Sequence, residues 1–280
     1  MDIQVIFLYC LADTIASALN LKEDPLSKMS QAEIITFVMI SAIFYQGNYK
    51  TTRLVVSSLG YFSKILSHSR IIRRIHQIPE DTWIMIFAIC RNFSQGSAAE
   101  EYIVDSFPVA VCQNYKRFRC KLFQGKKFHG YTASKKQYFF GIKVHMIVNS
   151  EGVPIEFVFS PGSAADICGL RMLAIDLPKG SSLYGDAAFT DYELEDFLLL
   201  DRGINLIAKR KKGAKRRHCE SDEFQLSVKR NRVETTFSGI TALMPRYIRA
   251  KTETGFCLKV MFFILGHTVK LLDPMILAHK

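Results

Sequence analysis

Tyr102-Ile103-Val104-Asp105-Ser106-Phe107-Pro108-Val109 is the stretch on which the fold turns. Its β-branched and aromatic residues predict a strand, and Pro108 is expected to mark the end of it. One carboxylate, Asp105, sits inside this otherwise apolar run. A buried unpaired charge costs on the order of several kcal/mol, so Asp105 needs a partner or a metal. Downstream, a basic stretch rich in Gly, Lys and aromatics runs from Lys116 to Lys136. Tyr138 to Val148 then alternates as a strand. Asn149-Ser150-Glu151-Gly152 has the composition of a hairpin turn, and Val153 to Phe159 is the returning strand. A helix is expected from about Ala164 to Ile175. A strand should follow over Ser182 to Asp186, then a helix over Tyr192 to Leu200 that Gly203 stops. Ile204 to Ala208 is a further strand, and a long helix begins near Phe224. Three antiparallel strands followed by βα units imply an α/β fold, a mixed sheet with helices on both faces.

Upstream of Ser97 the texture is helical. Ser30-Gln31-Ala32-Glu33 has capping-box form ahead of the apolar run Ile34 to Tyr45, which Gly47-Asn48 breaks. Further helices are expected over Thr51 to Leu66, around Arg70, Arg73 and Arg74, and from Asp81 through Phe93. The expected organisation is a small all-α domain over residues 1–96 and an α/β domain over 97–280. Short helices joined by tight turns, with scattered Arg and Lys, suit a helix-turn-helix-like DNA reader. A plain helical bundle packed on the next domain is the alternative.

The formal net charge is +11, and 49% of the residues are hydrophobic, so the chain can bury a core and favours a polyanionic partner. An anionic membrane surface would suit the charge too. However, Gly213 interrupts the strongest basic run, which argues against a basic helix backed by one apolar face. The apolar runs Ile34 to Tyr45 and Ile84 to Cys90 are too short to span a bilayer, and Lys259 and Lys270 interrupt the C-terminal one. No membrane partner is expected. The N-terminal segment carries Asp2 where a secretion signal would be positive, so a cytoplasmic location is expected. The seven Cys include no C-x-x-C pair, against a disulfide framework or zinc ribbon and in favour of buried reduced thiols. His218-Cys219 has no partners at ligand spacing.

Two more carboxylates stand beside Asp105. Asp186 ends the apolar run Ser181-Ser182-Leu183-Tyr184-Gly185-Asp186, at a strand end where sites collect in open α/β sheets. Glu234 lies on the last helix within Lys229-Arg230-Asn231-Arg232-Val233-Glu234, one turn after Arg230. Singly, each has a structural role open to it: Asp105 can cap a turn, Asp186 can start the next helix, and Glu234 can pair with Arg230. Together, in a strongly basic chain, they are far harder to explain as three separate structural roles. Lys209, Arg210, Lys211 and Lys212, then Lys215, Arg216 and Arg217, flank Gly213-Ala214. A second cluster holds Lys116, Arg117, Arg119, Lys121, Lys126 and Lys127. Both clusters are expected to track DNA backbone; for the first, a solvated loop is the alternative. Lys229, Arg230 and Arg232 are candidate DNA contacts beside Glu234; Arg230 and Arg232 could grip phosphate or orient Glu234. Phe123, Phe128 and Tyr131, set among cations, could stack on unpaired bases, but core packing is the preferred reading. His145 is read as a core residue and Asp166 as a helix N-cap, both outside the catalytic set.

These segments resemble the DDE transposases of bacterial insertion sequences, and most closely the group typified by insertion sequence nine-eighty-two. The likeness runs from about residue 100 to 270. It rests on IVDSFPV around Asp105, KVHMIVNSEGVPIEF in the hairpin, SPGSAAD ending at Asp166, YGDAAF around Asp186 and RNRVETTFSGI around Glu234. The resemblance implies a ribonuclease H-like fold, in which Asp105, Asp186 and Glu234 hold two Mg²⁺ ions, with Mn²⁺ able to substitute. Asp105 would bridge both ions. It implies cleavage at the ends of an element and joining of the freed 3′-hydroxyl to target DNA in the same site. Double-stranded DNA is the expected partner, bound by a homodimer, with the protein on the nucleoid when bound. Related families carry a longer signature whose Tyr and Lys would fall on Ser227 and Thr241, so only its Arg230 and Glu234 remain. Lys229, Arg232 or Arg246 could replace the missing Lys. A nuclease of the same fold without strand joining, and an inactive DNA-binding derivative, are the competing readings.

Overall fold

Strand β1 (Glu101–Cys112) forms the middle of the sheet because both its faces are apolar: Tyr102, Ile103, Val104, Phe107 and Val109 are all buried. In the computed structural model, which describes residues 2–94, 101–133 and 135–271 with the side chains at 2, 93, 94, 220, 221, 223, 227, 230 and 231 left aside, β1 pairs antiparallel with β3 (Gln137–Asn149) and parallel with β5 (Ser182–Gly185). Strand β6 (Asn205–Ala208) extends the parallel side. The far edge of β3 takes β2 (His129–Thr132) and then β4 (Pro154–Pro161), both antiparallel. The result is the expected mixed sheet, in an arrangement consistent with a ribonuclease H-like fold.

Two local expectations are corrected. Pro108 does not end β1 but sits inside it, opposite Lys143. Strand β5 covers β1 only from Glu101 to Val104, so at Pro108 that side of β1 is an edge, where a missing N–H is tolerated. Strand β2 lies within the basic stretch that showed no strand pattern; it is only four residues long and contains Gly130.

The β3–β4 hairpin forms as its composition predicts. The Asn149 side chain accepts from the N–H groups of Glu151 (3.0 Å) and Val153 (2.9 Å). Gly152 has φ +86°, and a Cβ there would stand 2.9 Å from Thr236 Oγ1. The Thr236 hydroxyl donates to the Gly152 carbonyl at 2.8 Å. This ties the turn to helix α8 (Glu220–Leu243), which also packs Phe237 on Phe107 with ring centroids 4.6 Å apart. Helix α6 (Asp166–Met172) reaches the neighbouring β1 residue, Ser106, so the helices cover opposite faces. Helix α7 (Tyr192–Phe197) precedes β6.

The remaining helices are α1 (Asp2–Ala18), α2 (Gln31–Phe44), α3 (Tyr49–Ser58), α4 (His68–Gln77), α5 (Glu80–Ser94) and α9 (Glu253–Leu271). Helix α2 starts at the expected capping box, with Ser30 and Glu33 bonding each other's backbone N–H, and is buried along most of its length. Helix α3 stops at Ser58 rather than continuing to Leu66; the chain turns at Gly60, with φ +68°. Contacts group residues 1–94 with 239–280 and leave 95–238 as the sheet unit. Against the expected split into 1–96 and 97–280, α9 therefore keeps company with the early helices. It packs on α2 and α5, where Trp83 meets Phe262 at 4.6 Å and Phe256, Phe263, Ile264 and Leu265 are almost fully buried. Helix α9 is long and apolar enough to cross a membrane by length and composition. Among the described residues no disulfide forms; of the seven cysteines Cys90 is buried, whereas Cys10, Cys168 and Cys219 are exposed.

Candidate active site

Parallel register brings two of the three carboxylates together. Val104 on β1 pairs with Gly185 on β5, so Asp105 and Asp186 are the next residues on neighbouring strands about 4.8 Å apart. Gly185 permits that approach: a Cβ there would stand 3.1 Å from Val104 Cγ1 and 3.2 Å from Phe189 Cβ. The two acids share a local geometry. Asp105 accepts from the following N–H, that of Ser106, at 2.7 Å, and Asp186 accepts likewise from Ala187. Asp186 thereby caps the single 3₁₀ turn Ala187–Phe189. Both acids are half-buried and line one cavity of about 210 Å³, at the carboxyl end of β5. Ligands of open α/β sheets gather at such ends.

Helix α8 walls this cavity with Leu226 and Val233. Its sheet-facing side is set by Val233, Thr236 and Phe237, all buried. Glu234 follows Val233 by one residue, about 100° further around the helix. It is exposed and not among the residues lining the cavity. Among the described residues, no three His, Cys, Asp or Glu side chains group as a metal-binding set. The structure thus joins Asp105 to Asp186 and leaves Glu234 on the flank of the helix that closes the site.

The expected DNA-contacting cations divide into two kinds. Lys209 is exposed at the cavity, held by its N–H donating to the Gly185 carbonyl at 3.0 Å. Lys211, Lys212, Lys215, Arg217, Arg232, Lys126 and Lys127 are also exposed. Three others are held by acids. Arg210 makes a two-pronged pair with Glu195 on α7, at 2.6 and 2.7 Å, with side chains only 6% and 9% exposed. Arg216 pairs in the same way with Asp196, at 2.6 and 2.8 Å, and both guanidiniums lie over the Tyr192 ring. Lys229 pairs with Glu101 and sits 4.8 Å from the Tyr184 ring centroid. As a correction to the sequence reading, Arg210 fixes the start of the basic segment and offers no open cation, because its fork is already matched by a carboxylate. The Arg230 side chain lies outside the described residues.

Phe123 and Phe128 pack on each other in the core, 5.0 Å apart, as preferred, whereas Tyr131 is 48% exposed. The sequence reading missed Tyr115 and Phe118, which are 71% and 84% exposed beside Lys116 and Arg117. Their three-residue spacing inside NYKRFR was the available signal.

A polar layer supports the site from the opposite face of β1. Asp166 is the first residue of α6 and not its N-cap, which is Ala165. Its Oδ1 accepts from Ser106 Oγ at 2.7 Å and from Lys143 Nζ at 3.1 Å. His145 is fully buried, with Nε2 2.7 Å from Ser160 Oγ. Burial pushes its pKa down to about 4; Lys143 adds to the drop and Asp166 opposes it. The ring is therefore neutral near pH 7, in keeping with a core residue. Gly169 allows α6 to lie on it, since a Cβ there would come within 2.2 Å of the ring. The layer clamps β1 at Ser106, next to Asp105.

Residues 96–256 match the family described as the transposase DDE domain. No curated protein and no solved structure matches the chain. The matched segment holds Asp105, Asp186 and Glu234 and covers more than half of the 280 residues, and the chain belongs to the DDE transposase family.

Proposed function

We propose that the protein cuts the ends of an insertion element and joins them to target DNA, with Asp105, Asp186 and Glu234 as ligands of two divalent cations. The observation that carries the reading is the placement of Asp105 and Asp186 side by side in one cavity. Their hard oxygen donors suit Mg²⁺, which keeps several waters and takes few protein ligands; Mn²⁺ would serve as well. Bound there, the cations would activate the attacking oxygen and stabilise the leaving one. Glu234 completes the set from α8, one residue past Val233 in the cavity wall.

The chain's own groups do the rest. Lys209 draws a phosphate to the cavity mouth. Lys211, Lys212, Lys215, Arg217, Arg232, Lys126 and Lys127 follow the backbone on either side, and Arg230 belongs to the same group by resemblance. Arg210 and Arg216 shape the basic segment through α7. Tyr115 and Phe118, exposed between cations, offer faces to bases unpaired by cutting. The helical unit binds duplex DNA, and two copies bring two ends together. The sequence motifs favour the group typified by insertion sequence nine-eighty-two, with Ser227 and Thr241 where the longer signature has Tyr and Lys.

A strand-transfer assay tests the joining step. The substrates are a pre-cleaved duplex carrying the terminal repeat that flanks the gene and a plasmid target, with Mg²⁺. Joined products are expected. Cutting of an uncleaved end with no joining of the pre-cleaved one would make the protein a nuclease of the same fold.

A further inference from the structure

The helical unit contains a concave surface that the carboxylate site does not explain. Its volume is about 840 Å³, and it lies among the α2–α3 turn, the start and end of α4, residues 245–252 and α9. Five permanent cations line it: Lys50, Arg246, Arg249, Lys251 and Lys259, joined by His68 and His76. No Asp or Glu is among the lining residues. Among the described residues, none of the five cations pairs with a carboxylate.

That concentration of like charge is unfavourable unless an anion shares the space. Lys50, Arg246, Arg249 and Lys251 are exposed, while Lys259 is half-buried. The Lys259 ammonium is held in place, donating to the Arg249 carbonyl at 2.6 Å and lying 5.0 Å from the Tyr49 ring centroid. His68 lines the cavity, and its Nδ1 is buried with no hydrogen-bond partner among the described residues. Burial lowers the His68 pKa, and Lys50, Lys259 and Arg53 lower it further. Burial and Arg249 act on Lys259 in the same direction. In both groups burial is the larger cause, and the neighbouring cations add to it.

We propose that this cavity is a phosphate-binding site of the helical unit that takes the sugar–phosphate backbone of a DNA strand. The proposal rests on DNA being the partner, as argued above. The arrangement suits a phosphodiester chain better than a single small anion. Arg246, Arg249 and Lys251 fall along one connecting segment and can meet successive phosphates, while Lys259 and His68 can take one that enters more deeply. The site joins α3 and α4 to residues far along the chain, so the early helices alone would lack most of its cations. A free nucleotide carries the same phosphate chemistry and must be distinguished.

The test uses the full chain without divalent metal and a fluorescein-labelled 30-base-pair duplex. Binding is read by anisotropy across 50–200 mM salt for wild type and the exposed double variant Arg249→Ala/Lys251→Ala, with thermal melting as the check on folding. Each phosphate contact contributes about 0.9 to the slope of log K against log salt, so the double variant should lower that slope by about 2. An unchanged slope in a folded variant overturns the site while leaving the transposase reading in place. ATP without metal is the second probe. If it raises the melting temperature of wild type but not of the variant, while the duplex slope stays the same, the ligand is a nucleotide and the DNA proposal fails. A wild type that binds no duplex at all would count against DNA as the partner, and against this site with it.

Discussion

Asp105→Asn is expected to lower cleavage of an end-bearing duplex by on the order of 10³-fold or more, equivalent to ~4 kcal/mol of transition-state stabilisation. Asparagine keeps the shape of the side chain, and its amide oxygen can still accept from the Ser106 N–H, as the carboxylate does at 2.7 Å. What it loses is the charge and the second hard oxygen donor. Asp186→Asn should behave the same way, because Asp186 holds the equivalent place beside Gly185 and accepts from Ala187. The melting temperature should move little in either case, which separates loss of chemistry from loss of fold. Single-turnover cleavage with Mg²⁺, set beside thermal melting, checks both points. Substantial cutting by either variant would remove that acid from the metal set.

Glu195→Ala is expected to destabilise the sheet unit by about 3–5 kcal/mol, the usual penalty for leaving a buried charge without its partner. Arg210 and Glu195 are almost sealed from water and meet through two hydrogen bonds, so truncation strands a guanidinium whose pKa those bonds now raise. A loss of that size corresponds to a fall of roughly 10–15 °C in melting temperature for a unit of this length. Arg210 also lines the carboxylate cavity, so the basic segment that follows β6 should loosen and DNA affinity should drop with it. Asp196→Ala supplies the contrast. Its pair with Arg216 is about half exposed on both sides and should matter by less than about 1 kcal/mol. Equal melting of the two variants would mean that Arg210 finds another partner.

Features encoded by local chemistry were legible in the sequence. The Asn149–Gly152 turn forms through the Asn149 side chain and the positive φ of Gly152, both carried by the residues themselves. The α2 capping box is equally local. Features that depend on distant partners were not legible. Apolar periodicity announces that α9 must bury a face, but not that α2 and α5 cover it. A count of cations in the basic run cannot show that Glu195 and Asp196 claim two of them from α7. Pro108 was misjudged because the sequence does not show how soon β5 stops accompanying β1.

The site was legible to different depths. Asp105 and Asp186 were singled out as charges in apolar strands, and the β1–β5 register then explains their adjacency. Glu234 was placed on the right kind of element, a long late helix. Its angle around that helix depends on how Val233, Thr236 and Phe237 seat against the sheet, which no local pattern specifies.

The most direct measurement is the number of Mn²⁺ ions held by the full chain on an end-bearing duplex, counted by electron paramagnetic resonance during titration. Wild type should bind two per chain, as two-metal phosphodiester chemistry requires, and Asp105→Asn, Asp186→Asn and Glu234→Gln should each weaken or lose at least one. Undiminished Mn²⁺ binding by Glu234→Gln would contradict the claim that three distant carboxylates act as one cation site.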